Sequence, residues 1–180
     1  DCYAPIQMAG NLVATAGTVE NVWITDFYHR FTTSGHGTSG SGCAIRIDDG
    51  AATVRNCVIE GGTINTRGVC GGNVHMTGGV VEDSIIRNGK TYGQASGGNV
   101  YMTDGVVRRC KIQNGDAYSY ASTKNYECKG GGVYAEGGLV DSCLLVGNKV
   151  SKFGYCGGMW LGLHLARVRP WIGWCGIHLR

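Results

Sequence analysis

Apolar residues in this chain alternate with other residues in short bursts, and the bursts recur. GNLVATAGTVENVWITD begins at Gly10, GCAIRIDDGAATVRNCVIEGG at Gly42, and GGNVHMTGGVVEDSIIRNG at Gly71. GGNVYMTDGVVRRCKIQNG follows at Gly97, GGGVYAEGGLVDSCLLVGN at Gly130, and a shortened start, CGGMWL, at Cys156. The first burst of each unit puts Leu12/Ala14, Ile45/Ile47, Val74/Met76, Val100/Met102, Val133/Ala135 and Met159/Leu161 on one face. The second carries Val19, Val22, Ile24; Val54, Cys57, Ile59; Val81, Ser84, Ile86; Val107, Cys110, Ile112; and Val140, Cys143, Leu145. Period-two alternation marks a half-buried strand. The second burst breaks its alternation once, by one extra residue. That predicts a bend with left-handed backbone at Asn21, Asn56 and Asp83, residue types that tolerate it. Arg109 and Ser142 hold the same position and suit it less.

No helical pattern of ordinary length interrupts the units. Strands in successive similar units stack in parallel as a solenoid, because one coil cannot bury its own apolar face. The expectation is an all-β rod of about five to six coils over residues 1–161, rising about 4.8 Å per coil, as a fragment of a longer solenoid. The unequal intervals between unit starts place the insertions in one loop, after the NG or GN turn. The longest insertion is GDAYSYASTKNYECKGG, from Gly115.

Charge checks the register independently. The outward position after the first inward valine of the second burst reads Glu20, Arg55, Glu82, Arg108, Asp141, alternating in sign at every coil. Opposite charges on neighbouring strands stabilise one another by roughly 0.2–1 kcal/mol per pair. A column already paired with itself is structural rather than catalytic.

The units GGNVYM…VVRRCKIQNG and GGGVYA…LVDSCLLVGN resemble the glycine-led coils of right-handed parallel β-helix proteins of the pectate-lyase-like superfamily. They are most similar to passenger regions of bacterial autotransporters and polymorphic outer-membrane proteins. The resemblance spans about residues 10 to 161. It implies a right-handed parallel β-helix in a secreted or surface-displayed bacterial protein. It does not imply one activity, since that superfamily holds lyases, hydrolases, adhesins and inert stalks.

After Leu161 the pattern stops, and residues 162–180, GLHLARVRPWIGWCGIHLR, form an atypical tail. Three readings stay open: a cap on the solenoid, an out-of-frame end, or a membrane-binding segment. A cap would leave Trp160, Trp171 and Trp174 partly buried on the last coil.

Composition narrows the function classes. The chain has 180 residues, 32 of them glycine and 2 proline, without a collagen period, and is 43 % hydrophobic. Both collagen and disorder are excluded. The net charge of +3 is dispersed, so no nucleic-acid stripe forms. No apolar run reaches the ~18 residues of a membrane span, so a membrane would be met only through missing flanks. The nine cysteines show no CxxC pair, which argues against zinc. Cys57, Cys110 and Cys143 share an inward column and are expected as free thiols, because in-register stacking aims their Cβ atoms in parallel. Cys43, Cys70, Cys128 and Cys156 fall near the glycine turns, where a loop pair such as Cys128–Cys156 could form in an oxidising compartment.

Four constellations could carry chemistry. Position two of the first burst reads Val13, Arg46, His75, Tyr101, Tyr134, Trp160, an outward aromatic ladder that either stacks on sugar rings or stabilises its own sheet. Tyr118, Tyr120 and Tyr126 in the long insertion extend that candidate face, since solenoid insertions often form the binding face. Gly35-His36-Gly37 with Arg46-Ile47-Asp48 resembles a polygalacturonase pattern. Asp48 stands where those enzymes have lysine, and the upstream aspartate pair needed for two-carboxyl hydrolysis is missing. Asp48, Asp49 and Glu60 resemble the start of a lyase calcium site, but calcium needs six to eight oxygen ligands, and turn chemistry explains IDDG equally.

The sequence therefore defines no catalytic set, no metal site and no cofactor. It is read as a monomeric, non-catalytic surface or secreted module supporting adhesion or display, with a polysaccharide or cell-surface glycan as its partner. Two alternatives stand beside it: a polysaccharide lyase or glycoside hydrolase, and a carbohydrate-binding module using the aromatic ladder.

Overall fold

A computed structural model of the chain describes residues 6–9, 12–25, 28–30, 44–48, 50–66, 71–93, 96–119, 128–151, 154–155, 157–161, 167–169 and 177–179. The described residues form an all-β parallel solenoid without a helix. Each regular coil contributes one strand to each of four parallel sheets.

The first sheet stacks Leu12–Ala14, Ile45–Ile47, Val74–Met76, Val100–Met102, Val133–Ala135, Met159–Leu161 and Ile177–Leu179. The second stacks Gly17–Glu20, Ala52–Arg55, Val80–Glu82, Val106–Arg108, Leu139–Asp141 and Arg167–Arg169. The third stacks Ile6–Ala9, Val22–Thr25, Val58–Glu60, Ile85–Arg87, Lys111–Gln113 and Leu144–Val146. The fourth stacks Tyr28–Arg30, Thr63–Thr66, Lys90–Gly93, Asp116–Tyr118 and Lys149–Ser151. A two-stranded sheet pairs Cys128–Lys129 with Gly154–Tyr155.

The expected register holds. Val81 stands beside Val107, and Val107 beside Val140, in adjacent positions of the second sheet. Three corrections accompany it. The solenoid makes about four turns, fewer than the five to six expected, and the five strands of the fourth sheet span four coil steps. The second burst is two strands, divided by the left-handed residue between the second and third sheets. The segment after the NG turn is also a strand and not the start of a loop, so the insertions follow the fourth sheet. Within the tail, Arg167–Arg169 pairs with Leu139–Asp141 and Ile177–Leu179 with Met159–Leu161, so these parts extend the sheets. Trp171 and Trp174 lie outside the described residues.

Inward columns form the core. Val74, Val100 and Val133 in the first sheet, Val54, Val81 and Val107 in the second, and Ile24, Ile59, Ile86 and Ile112 in the third are all fully buried. Each such side chain gains about 1.5–3 kcal/mol by leaving water. Every coil repeats this gain against its neighbours, so the stack holds together where one coil would not.

The left-handed bend occurs at all five stacked positions: Asn21 (φ 59°), Asn56 (52°), Asp83 (49°), Arg109 (52°) and Ser142 (52°). Arg109 adopts it because its guanidinium is gripped from the coil below. Nε and Nη2 donate to the two carboxylate oxygens of Asp83 at 2.7 and 2.6 Å, and Nη2 also reaches Glu82 at 2.9 Å. Ser142 donates its hydroxyl to Asp141 at 3.1 Å.

Where the chain entering the first sheet packs against the turn from the third sheet to the fourth, a ladder of amides runs along the stack. Asn73 Nδ2 donates to Asn99 Oδ1 at 2.8 Å, and Asn99 Nδ2 to Asn148 Oδ1 at 3.1 Å. The amide oxygens of Asn73, Asn99 and Asn148 accept the backbone N–H groups of Gly62, Gly89 and Gly115 respectively. Asn73 and Asn99 come from GGN at the start of a unit, facing Gly89 and Gly115 of the NG turns. In the last complete coil the pair is exchanged: Gly132 replaces the first asparagine and Asn148 replaces the second glycine. A Cβ on Gly132 would sit 2.5 Å from the Gly158 carbonyl oxygen and 2.8 Å from Asn148 Cγ, so beside Asn148 the corner leaves no room for a second amide. Buried backbone groups need such partners, which fixes the choice.

Candidate functional site

Chemistry in a solenoid resides on its outer faces, because the interior is filled. On the second sheet the alternating charge column forms ion pairs at two of its four coil steps. Arg55 contacts Glu20 at 2.8 Å, Arg108 contacts Glu82 at 2.6 Å, and Arg109 adds to Glu82. Arg108 and Arg109 hold the Glu82 carboxyl below its ordinary range, and Arg109 does the same for Asp83. A carboxylate held ionised in this way is a poor proton donor.

Of the residues read as a calcium-site start, Asp48 follows the first-sheet strand Ile45–Ile47 and Glu60 ends the third-sheet strand Val58–Glu60, and both are engaged elsewhere. Asp48 accepts from Arg46 Nε at 2.6 Å. Glu60 accepts from Arg87 Nε and from Trp23 Nε1, the latter at 2.7 Å, and Arg87 keeps its carboxyl ionised. Asp49 and the Gly35-His36-Gly37 segment lie outside the described residues.

The aromatic ladder has the expected register: Arg46, His75, Tyr101, Tyr134 and Trp160 occupy successive rungs of the first sheet. His75 and Tyr101 have ring centroids 5.0 Å apart at 31°, and Tyr101 and Tyr134 stack at 5.3 Å and 9°. His75, Tyr101 and Tyr134 are 7, 3 and 8 % exposed, so these rings stack on one another and leave little face for a sugar. The Tyr134 hydroxyl donates to Glu136 at 3.1 Å, and burial raises its pKa. Nδ1 of His75 is buried without a hydrogen-bond partner; burial, with Arg46 nearby, lowers the imidazole pKa.

Tyr118 is not in a loop. It stands on the fourth sheet in register with Tyr92, with centroids 5.7 Å apart at 59°, and both are half-buried. Lys90, Asp116 and Lys149 form the neighbouring outer column. Asp116 accepts from Lys149 at 3.3 Å and from the Ser151 hydroxyl at 2.8 Å. The sequence reading missed Tyr92, Lys90 and Lys149. Their signal was the recurrence of Lys-Thr-Tyr, Asp-Ala-Tyr and Lys-Val-Ser directly after Asn88-Gly89, Asn114-Gly115 and Gly147-Asn148. Tyr120 and Tyr126 lie outside the described residues.

The inward cysteines Cys57, Cys110 and Cys143 are buried free thiols, as expected from their column. Each donates to carbonyls: Cys57 to Arg55 at 3.1 Å, Cys110 to Arg108 and Cys143 to Asp141 at 3.3 Å. Burial raises the Cys57 thiol. Cys128 is also buried and donates to Gly93 at 3.5 Å, while Cys43, Cys70 and Cys156 lie outside the described residues. No protein-family model, no curated protein and no solved structure matches the chain.

Proposed function

We propose that this chain is a coil segment of a non-catalytic rod, secreted or displayed on a bacterial surface, that supports adhesion or display. In this reading it is a right-handed β-helix of the pectate-lyase-like kind found in autotransporter passengers and polymorphic outer-membrane proteins. One observation carries it. Every arginine whose side chain is described (Arg46, Arg55, Arg87, Arg108, Arg109) is ion-paired, and all but Arg46 pair across a coil step. Lyases and hydrolases acting on polysaccharides need carboxylates and cations poised toward substrate. Here four of the five described arginines and the carboxylates they grip hold coils together, which suits a scaffold.

The test uses beads coated with the full chain. The reading expects them to adhere to cell surfaces above beads coated with serum albumin, and the soluble chain to release no reducing ends from polygalacturonate or alginate. Release of reducing ends would establish the lyase or hydrolase alternative instead, and adhesion no greater than that of albumin would remove the adhesive role.

A further inference from the structure

The fourth sheet departs from the charge economy of the rest of the rod. Lys90 is exposed and makes no ion pair among the described residues, and the Lys149 side chain is 66 % exposed although it contacts Asp116. Among the described residues of this sheet's outer column, two lysines therefore flank a single carboxylate, which is already tied to Lys149 and the Ser151 hydroxyl. Beside them Tyr92 and Tyr118 lie one coil step apart, on the surface and not in the core.

We propose that this face binds an acidic glycan, with Tyr92 and Tyr118 against its sugar rings and Lys90 and Lys149 against its carboxylate or sulfate groups. The proposal rests on the surface-module reading only in naming what such a rod would hold.

Charge complementarity selects an anion, because among the described residues of this column two lysines face one acid that Lys149 already neutralises. Lys90 and Lys149 are two coil steps apart, about 10 Å. That span suits successive units of a polymer and exceeds a single sugar. Tyrosines supply apolar ring surface with a hydroxyl, matching the mixed C–H and O–H surface of a saccharide. Single-stranded nucleic acid fits less well, since it needs parallel, open ring faces on which bases stack, and these rings are tilted by 59° and half-buried.

Native electrophoresis through gels containing hyaluronate, chondroitin sulfate or neutral dextran tests this. The full chain should be retarded by at least one acidic glycan, not by dextran, and retardation should fade with added salt. Lys90→Ala/Lys149→Ala together, and Tyr118→Ala alone, should each weaken retention by about tenfold. Lys111→Ala, the same charge change on the third sheet, should leave it unchanged. Equal melting temperatures show that the variants remain folded. Retention equal in dextran, loss on Lys111→Ala as large as on Lys90→Ala/Lys149→Ala, displacement by a single-stranded oligonucleotide at equal charge, or no retention in any gel would overturn the proposal. Cell adhesion of coated beads without retention in any gel would remove this face alone and leave the adhesive reading standing.

Discussion

Replacing Asn99 by alanine removes the central rung of the amide ladder. Its side chain, fully buried, makes four hydrogen bonds: Oδ1 accepts from Asn73 Nδ2 and Gly89 N, and Nδ2 donates to Asn148 Oδ1 and Gln113 O. Three of the partners keep another bond: Asn73 to Arg87 O, Asn148 from Gly115 N, and Gln113 O from Asn88 N. Gly89 N is left buried without an acceptor, at about 1–3 kcal/mol, and the lost neutral bonds add about 1 kcal/mol each at most. The expected destabilisation is about 3–4 kcal/mol, which lowers the thermal midpoint of a chain this size by roughly 10 °C. Circular dichroism melting curves measure it. The exchanged coil supplies a sharper control. Asn148→Gly alone orphans Gly115 N, and Gly132→Asn alone crowds Asn148. The double variant recreates the arrangement of the two coils below and should recover more than 1 kcal/mol of the summed losses, well beyond additivity. A change under about 1 kcal/mol for Asn99→Ala, or strict additivity of the exchange, would refute the ladder argument.

Three further outcomes follow from individual residues. The lowered pKa of His75 means that the unfolded chain takes up a proton first, so stability is complete at neutral pH and falls as pH drops through about 6.5; melting temperatures from pH 8 to 5 should show this slope, and His75→Phe should flatten it. At Arg109, glycine should melt above alanine, since both lose the Asp83 pairing but only alanine keeps the left-handed strain; the reverse order in differential scanning fluorimetry would contradict the strain argument. Cys57, Cys110 and Cys143 should resist alkylation in the native chain and react once denaturant is added, as read by intact mass; rapid native labelling of all three would contradict their burial.

The repeat and its register were legible because the inward residues of three sheets are aliphatic and recur at fixed offsets from a glycine turn. The fourth sheet was not. Its inward positions include Ile64, Thr91 and Ala117, a mixture with no period-two signal. The bends at Asn21, Asn56 and Asp83 were readable from residue type, whereas Arg109 takes the same conformation through ion pairs that exist only once coils are stacked. Alternation of charge foretold the second-sheet pairs. Alternation alone could not show that Tyr101 and Tyr134 are covered, because an outward position in a strand says nothing about what crosses over it. The exchange of GGN…NG for GGG…GN was visible as text, but its meaning required the corner where both ends meet.

The central claim is that residues one coil apart in sequence stand side by side in parallel ladders. Methyl and amide nuclear Overhauser effects on a valine-labelled sample test it most directly. The account predicts cross-peaks linking Val81 to Val107 and Val107 to Val140, with none between Val81 and Val140. Cross-peaks placing any of these valines against a neighbour in antiparallel order, or no contact between Val81 and Val107, would contradict the solenoid and every surface column drawn from it.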